Sequence, residues 1–444
     1  MNGLDAPEDS TYPSPAVAWY GVGVLMVAYT LSFIDRYVIA LLIQPIKQDL
    51  MLTDTQIGLL SGLAFAIFYT TLGIPIGRLA DRYDRRRIIS IGIFAWSLMT
   101  AACGLTRGFW QLFAARVGVG VGEAALSPAA FSLIADSFTA NRLGRALSVY
   151  SAGVYLGSGL AFIIGGAVIQ LVLNTPDVSL PVIGAVSAWQ LTFVYVGLPG
   201  LLVSLWIFTI REPGRRNIGH ADAAAAIPIR QVLRFIGSAW RTYAAHFFGF
   251  SLLVLVFNAM IIWSPAFLAR VHGLSASTAG YSLGVIIAVF GSSGIVAGGW
   301  LADVLGKRGY SDATMRTGII AAIGLTPFVI LLPFMPNASL TLMLYAPLMF
   351  ISSFGFGAAV AALQLITPNE MRGQISAVYL FIINLIGIGL GPLLTGWITD
   401  VLFANEAAVG FSIALVGGIS APIAALVLWS GLGDYRHRRM QITG

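Results

Sequence analysis

Long runs of apolar residues, separated by short polar stretches, follow one another along the whole chain. Each run has roughly the 20 residues that an α-helix needs to cross a bilayer core of about 30 Å. The runs are continuously apolar rather than alternating, which favours helices over a membrane β-barrel. The pattern predicts twelve spans, at residues 17–46, 57–77, 88–106, 110–137, 144–173, 189–210, 243–269, 277–305, 315–335, 339–366, 374–400 and 408–432.

The composition indicates the same class of protein. Hydrophobic residues make up 57% of the 444 positions and charged residues only 10%, whereas soluble domains carry about 25% charged residues. The single cysteine, Cys103, lies inside a predicted span, which excludes a disulfide framework. Residues 1–15 contain three acids and no Lys or Arg, so we expect a short soluble tail rather than a signal peptide.

The basic residues are unevenly divided between the two sides of the predicted membrane. Twenty of the 25 Lys and Arg residues follow the even-numbered spans, three (Lys47, Arg107 and Arg270) lie on the other side, and Arg36 and Arg116 lie inside spans. The basic side of a membrane protein is the cytoplasmic one. We therefore expect a multi-pass protein of the bacterial inner membrane with both termini in the cytoplasm. The net charge of +6 then reflects topology and excludes nucleic acid as a partner.

The chain divides into two similar halves. The longest polar interruption, residues 211–242, separates six spans in residues 1–210 from six in residues 243–444. "GRLADRYDRR" at 77–86 matches "GWLADVLGKR" at 299–308, and "GRALSVY" at 144–150 matches "GQISAVY" at 373–379. Internal duplication is common in transporters and puts the substrate site near the midplane between the halves. The predicted fold is an all-α membrane protein with twelve transmembrane helices in two pseudo-symmetric six-helix bundles.

The end of the interruption has an amphipathic pattern. Between Ile229 and Trp240 the apolar residues would lie in the membrane interface, with Arg230 and Arg234 toward water. The alternative is an ordered linker without a further role.

The repeated stretch resembles the signature of the major facilitator superfamily, which lies between its second and third helices. The second copy, with Gly306, fits the family pattern better than the first, which has Asp84 where glycine is usual. Four further stretches are similar to the spinster branch of lysolipid and sphingolipid-type exporters: "FIDRYVIA" (33–40), "ARVGVGVGEAALSPAAFSLIADSF" (115–138), "GSGL" (157–160) and "REP" (211–213). The resemblance implies a major facilitator fold, alternating access and a monomer.

The signature residues are predicted to form a latch between the halves. Glycines let another helix approach closely, and acids at helix ends accept hydrogen bonds from the N-terminus of a neighbouring helix. In the family these neighbours are helices 11 and 5. For the arginines the alternative is that they only enforce topology. The predicted latch consists of Gly77, Asp81, Arg85, Arg86, Gly299, Asp303, Lys307 and Arg308.

Four ionisable residues fall well inside spans: Asp35, Arg36, Arg116 and Glu123. Each costs a few kcal/mol at mid-bilayer and needs a partner or a wet cavity. Neighbours on a helix do not face each other, and residues seven apart are about 10 Å apart along the axis. We therefore expect a cross-helix arrangement, with Glu123 near Arg36 or Arg116 and Asp35 exposed to a cavity. Asp35 and Glu123 are the predicted proton-coupling residues, and a static ion cluster is the alternative.

The second half has no comparable charges, because the repeat offset pairs Arg36 with Asn258, Arg116 with Tyr345 and Glu123 with Ser352. A cavity that is charged on one wall and apolar on the other suits an amphiphile, with the arginines on an anionic headgroup. For the aromatic residues plain packing is the alternative. The predicted substrate-binding set is Arg36, Arg116, Tyr155, Phe257, Asn258, Phe354, Phe356 and Asn384.

These patterns predict a secondary active transporter for a lysolipid-like or sphingolipid-like amphiphile, coupled to protons. A multidrug or small organic-anion antiporter of the same fold is the alternative. A lipid-modifying membrane enzyme is disfavoured because the four histidines are scattered and no catalytic set is apparent. We predict no cofactor and no metal; the predicted partners are the amphiphile, protons and the bilayer.

Overall fold

A computed structural model describes residues 12–80, 82–173, 178–180, 184–214 and 228–443. Asp81, one of the predicted latch residues, and residues 215–227 of the linker lie outside this set.

Twelve helices in the described chain are long and apolar enough to cross a membrane, which confirms the predicted fold class. They are α1 Pro15–Leu41, α2 Asp54–Ala80, α3 Arg85–Cys103, α4 Phe109–Ser137, α5 Arg142–Leu173, α6 Ala188–Thr209, α7 Trp240–His272, α8 Ala276–Lys307, α9 Ala313–Phe334, α10 Ala338–Leu365, α11 Arg372–Phe403 and α12 Glu406–Ser430. We name the two ends of the molecule by their residues. The basic face carries Arg85, Lys307 and Arg372, and the opposite face carries Lys47 and Arg270.

Three shorter helices accompany the spans. The first predicted span ends early: α1 stops at Leu41, and a separate helix, Ile43–Leu50, follows it at the opposite face. The helix expected in the linker is present as Ile229–Ser238, and Leu432–Thr443 forms a C-terminal helix. An unpredicted antiparallel hairpin, β1 Val178–Leu180 and β2 Gly184–Val186, joins α5 to α6.

Polar residues at the helix starts explain several boundaries. Thr53 and Gln56 form a capping box at the start of α2. Asp84 caps α3, because its carboxylate accepts from the backbone N–H groups of Arg86 and Arg87 at 2.9 and 3.2 Å. Hydrogen bonds from the Arg86 side chain and these amides hold the pKa of Asp84 below its usual value. The acid that departs from the family pattern is thus a helix cap.

Several spans are interrupted near the middle of the membrane. The helix of α4 stops at Glu123 and resumes at Leu126, where Pro128 in the new first turn cannot donate to a preceding carbonyl. In α11 a π-helical segment, Asn384–Leu390, ends two residues before Pro392, which likewise cannot donate to a preceding carbonyl. Such turns are frequent at functional sites. The breaks therefore place Glu123 and Asn384 where the backbone is least regular.

The two halves cross closely near the opposite face. A Cβ atom on Gly58 would lie 2.5 Å from the Pro392 carbonyl oxygen, and one on Gly62 would lie 2.4 Å from that of Gly389, so α2 meets α11 backbone to backbone. In the same way a Cβ atom on Gly159 of α5 would lie 2.6 Å from the Cβ atom of Ala288 in α8. These contacts close the molecule at the opposite face.

The molecule is apolar on the outside as well as inside. Large side chains such as Leu202, Val296 and Ile91 are exposed, as expected for residues that face lipid tails rather than water. The most enclosed span is α7, where Trp263 is fully buried and donates its indole N–H to the Pro392 carbonyl at 2.9 Å. The chain is therefore built to be surrounded by a bilayer.

We predict that Gly159→Leu opens the opposite face. The added side chain overpacks the α5–α8 crossing, which costs about 1–3 kcal/mol, so the closed arrangement should lose about tenfold or more in population. The measurement is the labelling rate of Ser277→Cys, in a Cys103→Ser background, by a membrane-impermeant maleimide. Gly23→Leu is the control, because a Cβ atom on Gly23 has no heavy atom of the described chain within 4 Å. Equal labelling in both variants would contradict this role of Gly159.

Candidate functional site

A buried ion pair joins α1 to α4 near the middle of the membrane. The Arg36 Nη2 atom donates to Glu123 Oε2 at 2.5 Å, and the two residues are 8% and 2% exposed. This confirms the expected contact of Glu123 with Arg36. The pairing is incomplete, since Arg36 Nε and Glu123 Oε1 have no hydrogen-bond partner among the described residues. The pair therefore keeps one donor and one acceptor for a ligand, a water molecule or a proton.

Aromatic rings surround the arginine of this pair. The Arg36 Cζ atom lies 4.4 Å from the ring centroid of Phe65, 5.1 Å from that of Phe33 and 5.3 Å from that of Tyr69. Rings at these distances attract a cation without neutralising it. Arg36 is thus held in place while its charge stays available to an anion. None of the three rings was predicted to belong to the site, although Phe33 lies three residues before Arg36 on the same helix face.

Arg116 has a different environment from the one predicted. It is fully buried and donates to the carbonyl oxygens of Asp35 at 3.1 Å, Arg36 at 3.3 Å and Leu60 at 3.4 Å. These bonds clamp α4 to α1 and α2. In this conformation the geometry favours a structural role for Arg116 rather than contact with a ligand.

Asp35 is also enclosed, so the expected exposure to a cavity is not seen in this conformation. It is 1% exposed and faces Trp96 and Thr100 of α3. Asp35 Oδ1, Trp96 Nε1 and Thr100 Oγ1 all lack a hydrogen-bond partner among the described residues. A buried carboxyl group that forms no ion pair needs a proton, water or a rearrangement. The residue next to the central pair is therefore also unsatisfied.

Three predicted substrate residues meet where the halves face each other. Tyr155 of α5 lies 6.1 Å from Phe257 of α7 and 5.7 Å from Phe356 of α10, and the two phenylalanines are 5.3 Å apart, all between ring centroids in edge-to-face geometry. The Tyr155 hydroxyl has no hydrogen-bond partner among the described residues. We call these three residues the aromatic junction.

The other predicted residues of the second half lie apart from the aromatic junction. Phe354 packs on Phe350, at 5.1 Å between ring centroids, and against Gly298 of α8. Asn258 is buried and donates to the Val254 carbonyl one turn earlier in α7, at 2.9 Å. Asn384 is half-buried at the first position of the π-helical turn in α11. The repeat-related positions of the second half are thus uncharged and buried, as the offset predicted.

A charged cluster at the opposite face was not predicted. The Asp54 carboxylate, fully buried, binds Lys47 and takes two bonds from Arg270, at 2.6 and 2.7 Å. Lys47 also contacts Glu406 at 2.9 Å, and the Asp400 carboxylate accepts from the Thr55 backbone N–H at 2.6 Å. We call Lys47, Asp54, Arg270, Asp400 and Glu406 the opposite-face cluster.

The opposite-face cluster joins the two halves of the chain. Lys47 and Asp54 come from the first half, and Arg270, Asp400 and Glu406 come from the second. The repeat could have indicated this cluster from the sequence, because Lys47 and Arg270 are 223 positions apart, close to the repeat offset. They are also two of the three basic residues on that side of the predicted membrane.

The arginines of the signature bind within their own half. Arg85 is buried and donates to Glu212 at 2.7 Å, to Ser132 at 3.0 Å and to Asp136. Arg86 pairs with Asp84 at 2.9 Å and donates to the Ile210 carbonyl at 3.1 Å. Both therefore fasten the start of the linker to the basic ends of α3 and α4.

The remaining signature residues do not cross the halves in this conformation. Asp303, Lys307 and Arg308 are exposed and form no ion pair with any residue that the structure describes. A Cβ atom on Gly299 would have no described neighbour within 4 Å, and one on Gly77 would meet only Pro128 of its own half. None of these described signature residues joins the halves in this conformation, and the latch remains a prediction.

The twelve spanning helices and the buried ion pair among them define a multi-pass membrane transport protein rather than an enzyme. The family model of the Major Facilitator Superfamily matches residues 25–392, and the chain belongs to this superfamily.

Similar proteins confirm the resemblance to spinster proteins. A bacterial homologue of the human lysosomal transporter spinster, solved in an inward-facing and unoccupied conformation, has a TM-score of 0.77 at 28% identity and covers 97% of this chain and 98% of that chain. Spinster homolog 3 of Danio rerio is 26% identical over 424 residues, 90% of this chain and 80% of its own. An MFS-type efflux pump of Mycolicibacterium smegmatis is 27% identical over 431 residues, 95% of this chain and 94% of its own.

We predict that Asp54→Asn weakens the closure of the opposite face. Removing the charge leaves two buried cations short of a partner, and breaking a buried pair costs about 3–5 kcal/mol. Spin labels at Met51 and Leu402, both exposed, should report a longer distance in a large fraction of the molecules. Glu406→Gln is the matched control: the Glu406 side chain is 58% exposed, and exposed pairs contribute about 1 kcal/mol or less. Unchanged distances in Asp54→Asn would rule out this function of the opposite-face cluster.

Proposed function

We propose that this transporter moves an amphiphile with an anionic headgroup and an apolar tail, of the lysolipid or sphingolipid type, by proton-coupled alternating access. The single observation that carries the proposal is Arg36, a buried arginine with an unpartnered Nε atom, three aromatic neighbours and one carboxylate partner. A phosphate or carboxylate headgroup would take the place of Glu123 on this guanidinium. Arginine suits that exchange because it binds oxyanions bidentately.

The apolar part of the substrate would lie along the second half. In the second half, uncharged residues occupy the positions that correspond to Arg36, Arg116 and Glu123 of the first half. The aromatic junction provides ring edges and faces on this wall. A substrate with one charged end and one apolar end fits a site with this asymmetry, whereas a small polar solute would leave the apolar wall unused. The Tyr155 hydroxyl would offer one hydrogen bond at the boundary between the two parts.

We place the basic face in the cytoplasm, because Lys and Arg residues accumulate there. The described conformation is then inward-facing, with the opposite-face cluster closed. In the outward-facing conformation this cluster would separate. The latch residues Gly77, Asp81, Gly299 and Asp303 would instead meet helices 11 and 5. Alternating access in this family needs such a gate at each end.

Proton coupling would act through Glu123 and Asp35. Protonation of Glu123 removes the negative charge that holds Arg36, so the guanidinium becomes free for the substrate anion. Loss of the proton restores the ion pair and displaces the substrate. Asp35, the residue before Arg36, has an unpartnered carboxyl oxygen and is the second group that would take up a proton. Exchange of a proton and an anion at one arginine couples their movements.

The second candidate function is a multidrug or small organic-anion antiporter of the same fold. Arg36 would bind such an anion equally well, and the similarity to an efflux pump favours this candidate. The two candidates differ in whether the apolar wall contributes to binding.

We predict that the purified protein binds a lysophospholipid and that Arg36→Ala binds it at least tenfold more weakly, since loss of a charged hydrogen-bond donor costs about 1.5–3 kcal/mol. The measurement is a titration with lysophosphatidylglycerol, monoacylglycerol, a fluoroquinolone and glucuronate. Arg107→Ala is the control, because Arg107 is an exposed arginine at the opposite face of the same half.

Binding of the drug or the sugar acid without binding of the lysolipid would favour the antiporter instead. Phe257→Ala should lower the affinity for the lysolipid more than Phe354→Ala does, because only Phe257 belongs to the aromatic junction. Equal losses would remove the junction from the binding site.

We predict that uptake of the lysophospholipid into proteoliposomes depends on a pH gradient. Glu123→Gln should abolish this dependence, because a glutamine side chain cannot exchange a proton. Asp35→Asn should weaken the dependence. Arg36→Lys, which keeps the charge, should retain the gradient dependence at a lower rate. Wild-type uptake that ignores the pH gradient would contradict the coupling, while leaving the substrate proposal in place.

A further inference from the structure

The linker helix Ile229–Ser238 has two different exposed sides. Val232 is fully buried, and Phe235 and Ile236 pack against the core, which fixes the rotation of the helix on the protein. Ile229 and Leu233, one turn apart, remain 55% and 53% exposed. Arg230 and Arg234, also one turn apart, are exposed on the neighbouring side. Apolar and basic side chains therefore form adjacent stripes on the helix surface.

The linker helix lies at the boundary of the membrane. Only Ala239 separates it from α7, which begins at Trp240 and crosses the bilayer. Trp240 is 61% exposed, and the Arg241 Cζ atom lies 5.7 Å from its ring centroid. An exposed tryptophan next to an arginine at the start of a spanning helix is typical of the headgroup region. The exposed stripe of Ile229 and Leu233 is thus at the depth where acyl chains begin.

A groove beside the basic stripe has the chemistry of an anion site. Its volume is about 510 Å³. Among the described residues that line it, none is acidic: Pro228, Arg230, Gln231, Arg234, Phe235, Ser238 and Met371. Arg438 does not line the groove but lies behind it, with its Cζ atom 4.3 Å from the ring centroid of Phe235, a lining residue. Glu370, next to Met371 in the chain, does not line the groove.

We propose that this groove, with the stripe of Ile229 and Leu233, binds an anionic phospholipid of the cytoplasmic leaflet. The phosphate lies between Arg230 and Arg234, and one acyl chain follows Leu233 toward Trp240. Met371 directly precedes α11, so the bound lipid holds the first turn of α11 to the linker helix. This site is separate from the one around Arg36 and takes a structural lipid rather than the transported substrate.

The test is lipid binding to the full-length protein in detergent, titrated with dioleoylphosphatidylglycerol and dioleoylphosphatidylcholine and followed by native mass spectrometry and by thermal unfolding. The wild type should bind phosphatidylglycerol more tightly and unfold at a higher temperature with it. The double variant Arg230→Gln with Arg234→Gln should lose roughly thirtyfold in affinity for phosphatidylglycerol, since each arginine near an anionic surface contributes about 1 kcal/mol, and change little with phosphatidylcholine.

Two further variants separate this site from general charge effects. Arg142→Gln with Arg145→Gln makes the same charge change at exposed positions of the basic face and should leave the affinity unchanged. Leu233→Ser with Trp240→Ser keeps every arginine and should still weaken phosphatidylglycerol binding. The proposal is overturned by equal binding of the two lipids to the wild type, by equal losses in the two arginine pairs, or by full competition from millimolar inorganic phosphate. Arg36→Ala should not affect this binding, which distinguishes it from the proposed transport function.

Discussion

The ion pair of Arg36 and Glu123 is the interaction on which the rest of the structure depends. Neither charge is tolerable alone in the middle of a membrane, and loss of either partner leaves the other buried and uncompensated. The pair joins α1 to α4, and the bonds of Arg116, two turns before Glu123, to the carbonyls of Asp35 and Arg36 hold the same two helices together. Because the pair leaves a donor and an acceptor unsatisfied, it stabilises the bundle and stays reactive toward an anion or a proton.

Closure of the opposite face follows from two features that act together. Glycines bring α2 to α11 and α5 to α8 until the backbones touch, and the opposite-face cluster then places Lys47 and Arg270 on one buried carboxylate. The bound charges come from corresponding positions of the two repeats, whereas their shared acceptor, Asp54, occurs in the first half alone. At the basic face the arginines of the first signature copy bind within their own half, whereas Asp303, Lys307 and Arg308 of the second copy are exposed. A duplicated sequence has thus produced two ends with different chemistry.

Sequence reasoning located much of the candidate site. Arg36 and Glu123 stood out because ionisable residues are rare within spans, and Tyr155, Phe257 and Phe356 do meet in the structure. The surroundings of Arg116 and Asp35 were not predicted: both were expected at a cavity, and in this conformation both are buried. Their surroundings depend on how α1 and α4 are rotated about their axes. That rotation is set by contacts with other helices, and no local pattern reports it.

What the sequence determined by itself was the number of spans, the division into halves and the identity of the buried charges. The spans and the buried charges follow from hydropathy and charge, because each segment interacts with the surrounding bilayer whatever other segments it packs against. The division into halves follows from the repeated stretches of the sequence. Only the tertiary structure decided which charges pair, that Asp84 serves as a helix cap and that Asp54 binds two cations. Pairing depends on distances between helices that are far apart in the sequence, and the same sequence must allow both ends to open and close.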